Sequence, residues 1–187
     1  MHGVGKERFR RIGHKNRQRL IRESVHLCCS NEIKGIGSGV VLQEYYALDE
    51  KAQAVIGDPY ALCFQHIIQQ TAEQATKLLE GHPEDKIAYI FEENPIYKQM
   101  LKKLWADMLE QGRDRYRMGS VSFAAKAQFR PLQLADRFAF EATKHLTGTT
   151  DSQEWKRLVK SGNHYGEYFG HRGIRDLRRK LSEDGLL

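Results

Sequence analysis

The sequence has few cysteines and no long apolar segment, and each shortage excludes a class of protein. Its three cysteines, Cys28, Cys29 and Cys63, are odd in number and have no CxxC spacing. They are expected to be free thiols in a reducing cytoplasm rather than a disulfide framework or a zinc site. No stretch approaches the ~18 apolar residues of a membrane span, and no signal-peptide segment follows the basic N-terminus. We therefore expect a cytoplasmic protein with no membrane partner.

Familiar catalytic motifs are also missing. The sequence contains no serine nucleophile elbow, no Walker phosphate loop and no pair of histidines at HxxxH spacing. Gly35, Gly37 and Gly39 alternate along an apolar segment, but this GxGxG spacing has no helix directly after it and is not a phosphate loop. The alternation instead predicts a strand with one bare face that packs closely against a helix or another backbone.

The sequence does have an excess of positive charge, which is concentrated at its two ends. The 187 residues include 30 Lys and Arg against 24 Asp and Glu, a net charge of +6. Eight basic residues lie between Met1 and Arg22, and eight more lie between Lys156 and Lys180. Because basic clusters attract phosphate backbones, nucleic acid is an expected partner of both ends. A merely solvated basic surface explains the charge equally well.

Hydrophobic periodicity predicts helices that alternate with strands. Helices are predicted over residues 14–29, from Asp58-Pro59 to about residue 80, from Asn94-Pro95 to about residue 112, and over 131–145. Strands are predicted over residues 33–42, 87–91 and 121–125. This order predicts a parallel sheet covered by helices. We expect an α/β domain over residues 1–147 and a basic, mostly helical tail over residues 148–187.

Two acidic positions are the strongest candidates for a functional site. Glu92 and Glu93 end the strand predicted over 87–91, and Asp136 lies 43 residues after Glu93 in a predicted helix. Ligands of open α/β sheets bind beyond the carboxyl ends of the strands. Carboxylate oxygens suit Mg²⁺ or Mn²⁺, which can activate water against a phosphodiester. Side-chain alternation does not choose between Glu92 and Glu93, and solvated surface carboxylates are the simpler interpretation of all three.

Two further expectations concern packing around these residues. In the helix of Asp136, the stripe of Leu132, Ala135 and Ala139 is expected to face the sheet and to hold Asp136 near it. The aromatic and glycine-rich segment over residues 162–171 is expected to anchor the tail on the domain.

Three segments, in this order, resemble a bacterial and phage family called domain of unknown function 3800. Gly35 to Leu42 with the following Glu44-Tyr45 is similar to the family's glycine-rich segment, and Ile87 to Asn94 to its strand that ends in an acid. Pro131 to Asp136 is similar to the family's LQ-x-AD helix start, which is the most specific part. The resemblance covers residues 1–147 and implies a ribonuclease-H-like three-layer fold and a metal-dependent nuclease activity.

By this resemblance, Asp136 is the helix acid, and Glu92 or Glu93 the strand acid, of a site for Mg²⁺ or Mn²⁺. Family members begin with an F-x-D-E-S strand whose Asp is the central ligand, and this sequence has none. A family histidine before the first helix corresponds to His2. The expectation is an N-terminally truncated ribonuclease-H-like domain, in which a sheet edge left exposed by the missing strands mediates oligomerisation. The sequence leaves open whether the chain is a nuclease or a non-catalytic module that binds nucleic acid or protein.

Overall fold

The computed structural model describes residues 13–30, 32–78, 84–112, 116–148 and 152–187. His2 and four of the eight basic residues between Met1 and Arg22 (Lys6, Arg8, Arg10 and Arg11) lie outside these ranges. In chain order, the elements are α1 (His14–Cys28), β1 (Gly35–Val40), α2 (Leu42–Tyr46), α3 (Glu50–Ile56), α4 (Pro59–Leu78), β2 (Ile87–Glu92), α5 (Lys98–Gly112), β3 (Met118–Ala124), α6 (Arg130–Leu146), α7 (Gln153–Ser161), β4 (His164–Phe169) and α8 (His171–Glu183).

The described strands form two separate parallel pairs, β1 with β4 and β2 with β3. In the second pair, the N–H of Ile87 donates to the carbonyl of Arg117 at 2.8 Å, and the N–H of Glu93 donates to the carbonyl of Ala124 at 2.9 Å. The mixed α/β class is confirmed, whereas the ribonuclease-H-like three-layer arrangement stays a prediction. Within the described residues each strand has a single partner, and oligomerisation through a free sheet edge also stays a prediction.

Helix starts were predicted at Asp58-Pro59 and Asn94-Pro95, and the side chains of Asp58 and Asn94 both form capping hydrogen bonds. Asp58 accepts hydrogen bonds from the N–H groups of Tyr60 at 2.7 Å and Ala61 at 3.3 Å, at the start of α4. Asn94 accepts from the N–H of Ile96 at 3.0 Å, but a turn precedes α5, which begins only at Lys98. The short helices α2 and α3 and the strand β4 were not predicted, and β1 is shorter than predicted because Leu42 begins α2.

The chain divides into two compact units, each made of three segments. We call residues 1–35, 90–93 and 123–165 the three-helix unit, after α1, α6 and α7. Residues 36–89, 94–122 and 166–187 form the five-helix unit, after α2, α3, α4, α5 and α8. The division into a domain over 1–147 and a tail over 148–187 stays a prediction.

The core of the three-helix unit lies where its helices meet, around Val25, Cys28 and Leu158. From α6, the side chains of Leu134 and Phe138 pack against this core. The prediction that Leu132, Ala135 and Ala139 form the packing face of α6 was wrong, because Ala135 and Ala139 are exposed. The observed stripe carries larger apolar side chains and therefore removes more apolar area from water.

The five-helix unit has its own buried core. α4 packs on α5, and α2 packs on α8. The ring of Tyr89 from β2 meets Trp105 from α5 edge to face, with 5.3 Å between ring centroids. His66 on α4 is also buried, and its ring meets that of Phe169 edge to face with 5.3 Å between centroids. Among the described helices, none combines the length and apolar character needed to cross a membrane.

The bare face of β1 is filled by rings from its partner strand rather than by a helix or another backbone. A Cβ at Gly35 would overlap the His164 ring, in the three-helix unit. A Cβ at Gly39 would lie 2.9 Å from Cδ1 of Tyr168, in the five-helix unit. Glycine is required at both positions because real Cβ atoms do not approach other atoms so closely.

Candidate metal site

Glu92 and Asp136 meet at a single cation, the ammonium group of Lys126. Nζ of Lys126 lies 2.7 Å from Oδ1 of Asp136 and 4.0 Å from Oε2 of Glu92. Glu92 ends β2, Lys126 lies in the turn after β3, and Asp136 lies in the second turn of α6. We call these three residues the Lys126 cluster; all of them belong to the three-helix unit.

Local hydrogen bonds hold the turn of Lys126 against the start of α6. The N–H of Gln128 donates to the carbonyl of Ala125 at 2.9 Å, which closes the turn. Nε2 of Gln133 donates to the carbonyl of Lys126 at 3.1 Å. Because Gln133 lies three residues before Asp136, it shares that residue's side of α6. The helix that carries the acid therefore also fixes the backbone that carries the amine.

The two adjacent glutamates, Glu92 and Glu93, make different contacts. Glu92 makes the contact with Lys126. The backbone N–H of Glu93 donates to the carbonyl of Ala124 at 2.9 Å and continues the pairing of β2 with β3. The role of Glu93 as a metal ligand stays a prediction.

The Lys126 cluster is open to solvent. The side chains of Glu92, Asp136 and Lys126 are 53%, 56% and 36% exposed. Ion pairs in such positions contribute only about 0–1 kcal/mol to stability. The ammonium group is therefore held weakly, and another cation could exchange with it at small cost.

The donor set suits a hard divalent cation only in part. Within the described ranges, no group of three or more His, Cys, Asp or Glu is arranged to hold a metal ion. Mg²⁺ is commonly held by one or two carboxylates, with waters and substrate phosphates as the remaining ligands. Glu92 and Asp136 supply the two carboxylates of a site of that kind.

A second ion-pair cluster on α6 was not predicted from the sequence. Glu141 is fully buried and pairs with Arg137 and with Lys144, whose Nζ is 3.3 Å from Oε2. Oγ of Ser152 also donates to Oε2 of Glu141 at 2.5 Å. The same hydroxyl caps α7 by accepting the N–H of Trp155 at 3.0 Å. We call these four interacting side chains (Arg137, Glu141, Lys144 and Ser152) the Glu141 cluster; it joins α6 to the start of α7.

An exposed aromatic ring lies between the two clusters. Phe140 is 53% exposed, and both Cζ of Arg137 and Nζ of Lys144 lie 5.3 Å from its centroid. Because Phe140 follows Asp136 by four residues, the two side chains share one side of α6. An aromatic surface flanked by two cations thus lies one helical turn from the exposed carboxylate of Asp136.

The serine and histidine near the end of α7 do not form a nucleophile–base pair. Oγ of Ser161 lies 3.0 Å from Nδ1 of His164. The single O–H of Ser161, however, donates a hydrogen bond to the carbonyl of Leu158 at 2.6 Å. Nδ1–H must then be the donor to Ser161. Burial, assisted by the nearby charge of Lys34, lowers the pKa of His164 and favours the neutral ring. This contact is structural.

Comparisons with known proteins do not identify the chain: it matches no protein-family model, no curated protein sequence and no solved structure.

Proposed function

We propose that the chain is a metal-dependent phosphodiester hydrolase of the nuclease type, with Glu92 and Asp136 as ligands of Mg²⁺ or Mn²⁺. The observation that supports this proposal is the approach of both carboxylates to one cation position, which Nζ of Lys126 occupies. Glu92 lies at a strand end and Asp136 lies in a helix 44 residues further along the chain, and an ion-binding role accounts for their meeting.

Each group of the Lys126 cluster has a distinct role in the proposed reaction. A bound divalent ion would supply activation of water and neutralisation of the leaving oxygen. Glu92 and Asp136 would hold it, and Glu93 stays a further candidate ligand. The charge of Lys126 attracts a phosphate oxygen once the carboxylates are engaged elsewhere. The exposed ring of Phe140 offers a stacking surface for a base next to the reacting phosphate.

Metal-dependent cleavage of labelled single-stranded DNA and RNA tests the proposal. We expect Mg²⁺- or Mn²⁺-dependent cleavage that falls at least about 100-fold in Asp136→Asn and in Glu92→Gln, since electrostatic groups at the reacting atoms contribute factors of that size. Glu93→Gln decides whether Glu93 is a ligand. Glu110→Gln, which removes an exposed acid of α5 in the five-helix unit, is the matched control. Unchanged cleavage in Asp136→Asn would show that the assigned site is wrong.

A second candidate is a module that binds nucleic acid without cleaving it. It is favoured by the uneven charge of the two units. The described residues of the three-helix unit include 12 Lys and Arg against seven Asp and Glu, whereas those of the five-helix unit include 12 against 13. Salt-dependent binding of an oligonucleotide that stays intact with both metals would favour this candidate over hydrolysis. Concentration-dependent self-association without either property would instead favour a protein-interaction module.

A further inference from the structure

Two cavities open on α7 of the three-helix unit, and Lys160 lines both of them. The first, of about 350 Å³, is lined by Val25, His26, Cys29, Arg157, Lys160 and Ser161. The second, of about 280 Å³, is lined by His145, Trp155, Lys156, Val159 and Lys160. Both cavities lie entirely within the three-helix unit.

The first cavity is suited to an anion. Arg157 and Lys160 are exposed and three residues apart, so they lie side by side on α7. Neither forms an ion pair within the described part of the chain, and His26 from α1 adds a third nitrogen-bearing side chain. The cavity lies at the carboxyl ends of α1 and α7, whose partial negative charges attract cations. The full positive charges of Arg157 and Lys160 together exceed the partial negative charges of the two helix ends. The remaining positive charge attracts a phosphate.

The second cavity is suited to a flat ring. The His145 ring stacks on Trp155 with 4.9 Å between centroids and 23° between planes. Trp155 is half-buried against Phe138, which fixes the orientation of the pair. Lys156 and Lys160 border this aromatic pair and are four residues apart on α7. Their unpaired like charges cost the isolated helix a small amount of stability, which a bound anion would recover.

We infer that this surface, named the Lys160 surface for the residues lining the two cavities, binds single-stranded nucleic acid. A phosphate would occupy the cavity of Arg157 and Lys160, and a neighbouring base would lie against His145 and Trp155. A nucleotide strand repeats an anion beside a flat ring, and single-strand sites typically combine cationic and aromatic groups in this way. A duplex, whose bases are stacked inside, offers the phosphates but not the ring.

This inference does not depend on hydrolysis. Asp136 and His145 lie nine residues apart on α6, about half a turn out of phase, so they face opposite sides of the helix. Variants of one site should leave the other undisturbed. Failure of cleavage and failure of binding at the Lys160 surface can therefore be told apart in the same protein.

Fluorescence anisotropy with a labelled single-stranded homopolymer, titrated at several salt concentrations, tests the charge component in the full chain. We expect Arg157→Gln/Lys160→Gln to bind roughly 10- to 30-fold more weakly in 0.1 M salt. The salt slope should fall by roughly 1.4, because each of the two lost cations accounts for roughly 0.7 through its contact with the phosphate backbone of a single strand. Lys102→Gln/Lys103→Gln, which removes two exposed charges from α5, should bind like the unmodified protein. Equal weakening in both double variants would mean general attraction to a basic protein and would overturn the inference.

Tryptophan fluorescence tests the stacking component. The protein has two tryptophans, and Trp105→Phe leaves Trp155 as the sole reporter. We expect quenching by the single strand, no quenching by inorganic phosphate, and reduced quenching when His145→Ala is added. Duplex DNA of equal length should bind more weakly than the single strand. Equal binding of the duplex, or binding of the single strand without any change at Trp155, would contradict a base at this cavity.

Discussion

Two ion-pair clusters that each include side chains of α6 differ in their exposure to water. In the Lys126 cluster, Asp136 and Glu92 are about half-exposed and share one ammonium group. In the Glu141 cluster, the carboxylate is fully buried and is shared by two cations and a hydroxyl. Burial without partners is costly for a charge, so the buried carboxylate is extensively hydrogen-bonded. The exposed carboxylates keep free lone pairs, which is what binding of another cation requires.

The degree of burial separates a structural ion pair from a candidate site in this molecule. The Glu141 cluster links two helices through a fully buried carboxylate, so loss of a member changes the contacts of a charge inside the protein. The Lys126 cluster contributes little to stability and can change partners without unfolding the chain. Substitutions in the Glu141 cluster should therefore lower the free energy of unfolding strongly. Substitutions in the Lys126 cluster should lower it little and should change the binding of a metal ion.

Glu141→Gln should cause the largest loss in the free energy of unfolding. Removing one partner of a buried ion pair costs about 3–5 kcal/mol, and we expect about 3 kcal/mol because Arg137 and Lys144 are partly exposed and can turn toward water. Urea unfolding measures the loss. A loss below about 1 kcal/mol would show that Glu141 contributes no more to stability than an exposed ion pair such as that of Asp136. The two clusters would then not differ in their contribution to stability.

Ser152→Ala should have the next largest effect, since it removes both the cap of α7 and a hydrogen bond to Glu141. We expect a loss of about 1–2 kcal/mol in the free energy of unfolding. Ser161→Ala, which removes a hydroxyl at the other end of α7, is a useful comparison because it leaves Glu141 untouched. A double-mutant cycle of Ser152→Ala with Glu141→Gln should show a coupling energy different from zero.

Lys126→Met tests whether the exposed cluster can exchange its cation for a metal ion. Removing the ammonium group leaves two carboxylates without their cation, and we expect Mn²⁺ to bind about fivefold more tightly, which corresponds to about 1 kcal/mol. Calorimetric titration with Mn²⁺ measures the change, and Lys102→Met on α5 is the control. Weaker or unchanged binding would show that Lys126 does not compete with a metal ion.

Asp136→Asn should have the smallest effect on stability. We expect a loss of under about 1 kcal/mol in low salt, because the pair is half-exposed. In 1 M salt the loss should become smaller still, since screening acts on exposed charges, whereas the effect of Glu141→Gln should change little. A large, salt-independent loss in Asp136→Asn would mean that the Lys126 cluster is a structural element as well.

The sequence predicted the regular elements that carry strong local signals. Asp58-Pro59 marks the start of α4, and the apolar run before Glu92 is β2. β4 was not predicted because its residues, from His164 to Phe169, alternate in no clear apolar pattern. Its partner β1 also lies more than 120 residues earlier in the chain. Parallel pairing over such a distance leaves little trace in local sequence.

The candidate site was predictable only as far as the acids themselves. Glu92 and Asp136 could be placed near one edge because strand ends and following helix starts meet there. Lys126 lies in a turn with no motif of its own, and its contacts exist only once the turn and α6 are formed. Burial of Glu141 was not predictable, since an acid on a helix is normally solvated and its partner Ser152 belongs to the next helix.

The glycines of β1 influence the register in which β1 pairs with β4. Gly35 and Gly39 each leave room for one ring of β4, contributed by His164 and Tyr168. A slip of one residue would bring Ile36 or Ser38 against those rings and turn every side chain of β1 to the other face. The spacing of the glycines and rings therefore favours the observed register over one shifted by a single residue.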